Sequence, residues 1–196
     1  MYNAALFLHL LGVALLVGSV TVTLLTLLRV HTAGTVRELR SLIAGTKWVE
    51  VVIIPAMLLV VAPGLYMVSQ HGDDGSIPWS AGWVVTSLVI TLLLAILGPT
   101  VEASDDRRLR AAIASASGER PHADLREVQL ASRPVYVVFF GTSQVVALLF
   151  LMTNRPGLAV AIAVCAVAAA ASTIAASMRI RSVRRAEHAP LVNLEA

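Results

Sequence analysis

The chain has 196 residues, 57% of them hydrophobic and only 14% charged, with a mean hydropathy of +0.80. A water-soluble globule of this length needs far more charged surface, so that class is excluded. The net charge of +3 is small, and the distribution of the cations described below accounts for it without a nucleic-acid partner.

A helix crosses a bilayer with about 20 apolar residues. Stretches of that kind occur at Ala4–Val30, Trp48–Val68, Trp83–Val101, Val135–Thr153 and Leu158–Ser177. The expected fold is therefore all-α: a polytopic bundle of transmembrane helices, one for each of these five stretches. The first stretch opens on Met-Tyr-Asn without a positive charge, and its apolar run is too long for a signal-peptide core, so it is expected to be a retained helix.

Along that first helix His9, Gly12, Leu16, Ser19, Thr23 and Thr26 follow one another at spacings of three or four residues. That spacing puts them on one stripe. Hydroxyls and an imidazole have no reason to face acyl tails, so the stripe is expected to face other helices. His9 lies about 9 Å inside the boundary at 1.5 Å per residue, and an ionisable group at that depth is a functional candidate.

The second helix carries Pro55 and Pro63-Gly64. Each proline removes the donor for a carbonyl four residues back and is expected to kink the helix. Met67 and His71 lie four residues apart near its end, followed by Asp73 and Asp74 in the connection. Gly98-Pro99 marks the expected end of the third helix. Between the apolar stretches, Thr35-Val-Arg-Glu38 and Asp124-Leu-Arg-Glu127 have the capping-box pattern, with Gly45 and Pro134 as stops. They predict short amphipathic surface helices. His31, His122 and His188 are expected at the surface.

The fourth helix holds the polar run Gly141-Thr-Ser-Gln144, with Gln144 expected to bond across to Thr21 or Thr23, and ends near Met152. Ser19, Thr23, Thr26 and Gln144 are thus candidates for polar helix packing. The fifth is alanine-rich and contains the lone Cys165, which has no partner for a disulfide or a cysteine metal site. Its small residues make it a candidate self-association face.

Of the 15 Lys and Arg residues, all but Arg155 fall on one side of this topology. Positive charge collects on the cytoplasmic side, so the amino terminus is expected outside and the carboxyl terminus inside. The expected division is a membrane domain over 1–182 and a cytoplasmic basic tail over 183–196. The expected location is a bacterial-type inner membrane.

His9, Met67, His71 and Met152 belong to comparable outer depths and form a candidate cofactor pocket, with His9 and His71 as candidate metal ligands. Imidazole and thioether suit haem b or copper(I). The alternative is that His9 bonds a neighbouring group while the methionines fill space.

Leu8-His9-Leu-Leu-Gly12 with Gly18, Ile54-Pro55-Ala-Met57 through Pro63-Gly64-Leu65, and Leu151-Met-Thr-Asn-Arg-Pro156 resemble the predicted integral membrane proteins of domain of unknown function 2269. The first two helices also resemble CopD-type copper-resistance and HemJ-type protoporphyrinogen oxidase proteins, where a first-helix histidine followed by a glycine is typical. That resemblance implies a haem- or copper-side role for His9. The chain departs from those relatives at Leu16, where a tryptophan is usual, and lacks the Tyr-Leu-Pro-Arg run of the oxidases. The resemblance therefore implies a fold more than an oxidase activity.

No nucleophile–base pair, phosphate loop or paired carboxylates stand within the apolar stretches. The expectation is a non-enzymatic membrane bundle in a lipid bilayer. It binds a partner subunit or a hydrophobic ligand, or forms a homo-oligomer. Haem or copper handling through His9 is the alternative.

Overall fold

A computed structural model describes residues 1–72 and 77–187. The helices are α1 (Tyr2–Val30), α2 (Val36–Gly72), α3 (Gly82–Leu97), α4 (Ala103–Ser115), α5 (Ala123–Gln129), α6 (Ser132–Asn154) and α7 (Leu158–Glu187), with a π-turn over Gly98–Glu102. Helices α1, α2, α6 and α7 are long and apolar enough to cross a membrane, and α3 is a shorter apolar helix beside them. No strand occurs among the described residues. The molecule is a helical membrane bundle, and its helices present large apolar side chains outward. Val51, Ile54 and Leu58 of α2, each about two-thirds exposed, form such a stripe.

The helices alternate in direction. Gly12 of α1 lies against Leu59 of α2, Gly82 of α3 against Leu158 of α7, and Arg179 of α7 reaches Leu28 of α1. A Cβ on Gly12 would stand 2.7 Å from the Leu59 carbonyl carbon, and one on Gly82 only 2.3 Å from the Leu158 nitrogen. These two glycines let backbones touch, which is how small residues drive helix association in lipid. Helix α6 is the hub, packing on α1, α3 and α7 and burying Val135, Val138, Gln144, Val145, Ala147, Leu148 and Leu151.

Several connections differ from the expected ones. Thr35 does cap: its Oγ1 accepts from the Glu38 N–H at 3.2 Å, while Glu38 accepts from the Gly34 N–H. The helix it starts runs straight through Gly45 into the span, because a glycine stops a helix only where the chain turns left-handed. Asp124 is not a cap; α5 starts at Ala123, with His122 ahead of it. Gly98-Pro99 does end α3, with Gly98 as its C-cap, but the chain does not leave the helical path there. A π-turn absorbs the proline and the helical path continues into α4.

On the arginine-rich side, α4, α5 and the start of α2 enclose a small core of Val36, Leu39, Ile43, Ile113 and Leu125, joined by Val30 and Ala33 from the end of α1. This core seals the carboxyl end of α1. The Gln129 amide donates to the Val30 and Ala33 carbonyls at 2.6 and 3.0 Å. Arg126 donates to Ala33, and Arg179 donates to Leu28 at 3.1 Å. Carbonyls in the last turn of a helix lack the regular i+4 donor, and cations suit that negative end. Arg40 closes α4 likewise through the Ile113 and Ala116 carbonyls.

His31 lies within this cap and not at the surface, with 5% exposure, because the chain leaving α1 turns beneath α5. Burial, then Arg179, then Arg126 lower its pKa from 6.5 to about 4. The unfolded chain therefore binds a proton below about pH 6.5 that the folded chain refuses until about pH 4.

Two predictions follow from this packing. Gly12→Ala and Gly82→Ala each overpack a backbone contact and are expected to cost about 1–3 kcal/mol. Gly18→Ala, where a Cβ meets open space, is expected to match or exceed the parent. Thermal unfolding in detergent, followed by tryptophan fluorescence, distinguishes them; equal behaviour of all three contradicts the packing. Secondly, stability is expected to fall as pH drops from about 6.5 toward 4, by up to about 3 kcal/mol from this group. His31→Leu is expected to flatten that part of the profile, and an unchanged slope contradicts the assignment.

Candidate functional site

The stripe on α1 faces inward. Gly12 and Ser19 are buried, His9, Leu16, Thr23 and Thr26 are half-buried, and Phe7, Leu10 and Leu25 on other sides are exposed. Inward does not mean cross-linked, because the hydroxyls bond within their own helix. Thr23 donates to the Ser19 carbonyl at 3.0 Å and Thr21 to Val17 at 2.8 Å. Gln144 meets neither threonine. It is 1% exposed and its Nε2 donates to the Cys165 carbonyl on α7 at 3.1 Å. The reason is geometric: α6 turns this face toward α7, where small residues let the backbone come close.

His9 hydrogen-bonds the backbone of another helix. Its Nδ1 lies 2.7 Å from the carbonyl oxygen of Val60, across a separation of 51 residues. A carbonyl only accepts, so the Nδ1–H is the donor. Pro63 has no N–H to give Leu59, and the imidazole N–H goes to the neighbouring carbonyl of Val60. Gly64 makes room: a Cβ there would come within 3.2 Å of His9 Cε1 and Nδ1. Gly12, one turn along α1, meets Leu59 and Val60 in the same way. His9, Gly12, Pro63 and Gly64, which the sequence singles out separately, are thus one clamp between α1 and α2. Pro55 lies farther along the same unbroken helix.

His9 makes one hydrogen bond among the described residues, and it goes to the α2 backbone, not to a methionine sulfur. Met67 follows Gly64 by three residues on α2, and Met152 is half-buried on α6. The side chain of His71 and residues 73–76 lie outside the described residues. Among the described residues no three His, Cys, Asp or Glu side chains gather as a metal cluster would.

Farther toward the arginine-rich side a cavity of about 90 Å³ opens between α1, α2, α3 and α6. Leu16, Val20 and Thr23 face it from α1, and Ile53, Met57 and Val60 from α2. Leu94, Leu97 and Gly98 line it from the end of α3, and Phe140, Gly141 and Thr142 from α6. Val60 joins the two features, its carbonyl holding His9 and its residue bordering the cavity. Thr142 donates to its own Val138 carbonyl at 2.8 Å, as Thr23 does to Ser19, while Thr91 of α3 brings a third hydroxyl to an otherwise apolar wall. Sequence spacing signals the α1 wall. The rest needs four helices brought together, for which local periodicity carries no sign.

At the opposite end of the bundle, Arg155 takes the left-handed conformation that ends α6, at φ 48°, with its N–H on the Leu151 carbonyl. Its guanidinium lies 6.0 Å from the ring centre of Trp83, a cation–π contact tying the α6–α7 turn to α3. The Asn-Arg-Pro segment therefore serves as a built corner.

No curated protein and no solved structure matches the chain. The family described as predicted integral membrane protein (DUF2269) matches residues 4–156, which take in the clamp, the cavity and the Asn-Arg-Pro corner. The chain belongs to that family of integral membrane proteins, whose function is unknown.

Proposed function

We propose that this chain is a multi-pass protein of a bacterial-type inner membrane that binds a hydrophobic ligand inside its bundle and performs no catalysis. In this reading the amino terminus is outside, residues 1–182 form the membrane domain and 183–196 a cytoplasmic basic tail. The observation that carries it is the apolar cavity between α1, α2, α3 and α6, whose wall threonines 23 and 142 are turned to their own helices. An apolar void in a bundle already surrounded by lipid selects ligands by shape and hydrophobicity, with few polar groups to fix them. Ser19, Thr26 and Gln144 act in packing, and the outward face of α7, with Val160, Val167 and Ile174 exposed, is offered to a second copy or a partner subunit.

Photoreactive palmitate tests the ligand reading. It is expected to label α2, α3 and α6 around Met57, Leu94 and Gly141. Gly141→Leu is expected to suppress that labelling at least fivefold while the protein melts no earlier, since a Cβ at Gly141 meets open space. Labelling confined to the outer faces of the helices, or unaffected by the leucine, overturns it.

A second reading is favoured by the His9 geometry. A ring nitrogen that donates to a backbone carbonyl fixes the tautomer and leaves Nε2 as a ligand, which is how metal-bound histidines are oriented. His9 fits as a single axial ligand for haem b or a ligand for copper. Met67, His71 and Met152 are the proposed further donors, and redox chemistry is what such a group supplies when bound. At about 90 Å³ the cavity admits a short stretch of a single chain and not a rigid macrocycle, so a haem would belong beside the clamp instead. A Soret band or bound copper lost in His9→Ala, with the fold retained, is the expected sign. A colourless, copper-free protein from haem- and copper-replete cells removes this reading.

A further inference from the structure

The cavity has a side door. Helix α2 packs on α1, and α3 packs on α6 and α7, but α2 and α3 are not among the substantial helix contacts even though they are consecutive in the chain. Both border the cavity. The seam between them is therefore the side from which lipid would reach the cavity, and what closes each end sets its length. On the arginine-rich side α4 continues α3 through the π-turn and crosses to α2, where Arg110 donates to the Thr46 hydroxyl at 3.0 Å. Lys47 adjoins that contact on α2 and is exposed; Arg107, one turn before Arg110 on α4, is exposed as well.

We infer that the occupant is one hydrocarbon chain of an anionic phospholipid, drawn from the arginine-rich leaflet through the α2–α3 seam with its phosphate beside Lys47 and Arg107. This deepens the ligand reading above and rests on it. Three observations select this chemistry. The void is about 90 Å³, smaller than the roughly 150 Å³ apolar cavity that accepts a benzene ring, so it takes a short stretch of one flexible chain, the rest of which lies in the seam and the bilayer. Two of its wall hydroxyls are spent on their own helices, so nothing in that part of the wall holds a polar ligand. The cavity reaches Gly98 and Val137, at the edge of the bundle where the cations lie, so a chain inside leaves its headgroup among them. A phosphate near two cations at a membrane surface gains about 1 kcal/mol from each.

Native mass spectrometry of the full chain, released from detergent with either dioleoylphosphatidylglycerol or dioleoylphosphatidylcholine, tests this. The expected result is one tightly held phosphatidylglycerol, retained about tenfold better than phosphatidylcholine. It is expected to be lost in Gly141→Leu and retained no better than phosphatidylcholine in Lys47→Gln/Arg107→Gln. Gly141→Val, with a smaller side chain, replaces the leucine if that variant does not fold. Equal retention of the two lipids, with both displaced by the leucine, overturns the headgroup assignment and leaves the hydrophobic cavity standing. Retention that ignores the leucine marks surface lipid only and overturns the inference. Palmitate labelling of the cavity without any retained phospholipid overturns the lipid and not the ligand reading.

Discussion

In hydrocarbon a polar side chain has no water to turn to, and this constraint organises the end of the bundle where α1 and α2 meet. Helix α2 carries Pro63 in its interior, and the turn that proline weakens is the one α1 approaches most closely. Gly12 brings the two backbones into contact there, Gly64 opens a space, and the His9 imidazole fills it and supplies an N–H to Val60. Each of these four residues is costly or pointless without the others. Together they make α1 and α2 a single unit on which the rest of the bundle packs.

The same constraint operates at the other face with different chemistry. The carboxyl end of α1 meets water-accessible structure, and its carbonyls are taken by Gln129, Arg126 and Arg179 from two different helices. Arg40 does the same for α4. Some of the arginines that signal topology in the sequence are thus also caps, joining α5 and α7 to α1. His31 is kept neutral among them because a charge at that buried point would face two guanidinium groups.

Between these two fixed ends lies the less constrained middle. The clamp holds α2 to α1 and the corner at Gly82 and Leu158 holds α3 to α7, so α2 and α3 are committed to different partners. The void that remains between them is a consequence of that division. Its hydroxyls at Thr23 and Thr142 satisfy themselves within their helices, which keeps that part of the void's wall apolar.

Composition and period alone determined the membrane class, the five apolar stretches, and the inward stripe on α1 with His9 at one end. These follow from local quantities, namely runs of apolar residues long enough for a bilayer and a three-to-four spacing of polar ones. Only the tertiary structure decided what the stripe touches. His9 and Val60 are 51 residues apart, and Gln129 and Val30 are 99 apart, so no periodicity links them. Nor did spacing place Gln144 against Cys165, bury His31, carry α2 through Gly45 or leave a seam between neighbouring helices. Each of those outcomes depends on which helices approach closely enough to touch, and that is set by glycines and prolines acting in pairs across the bundle.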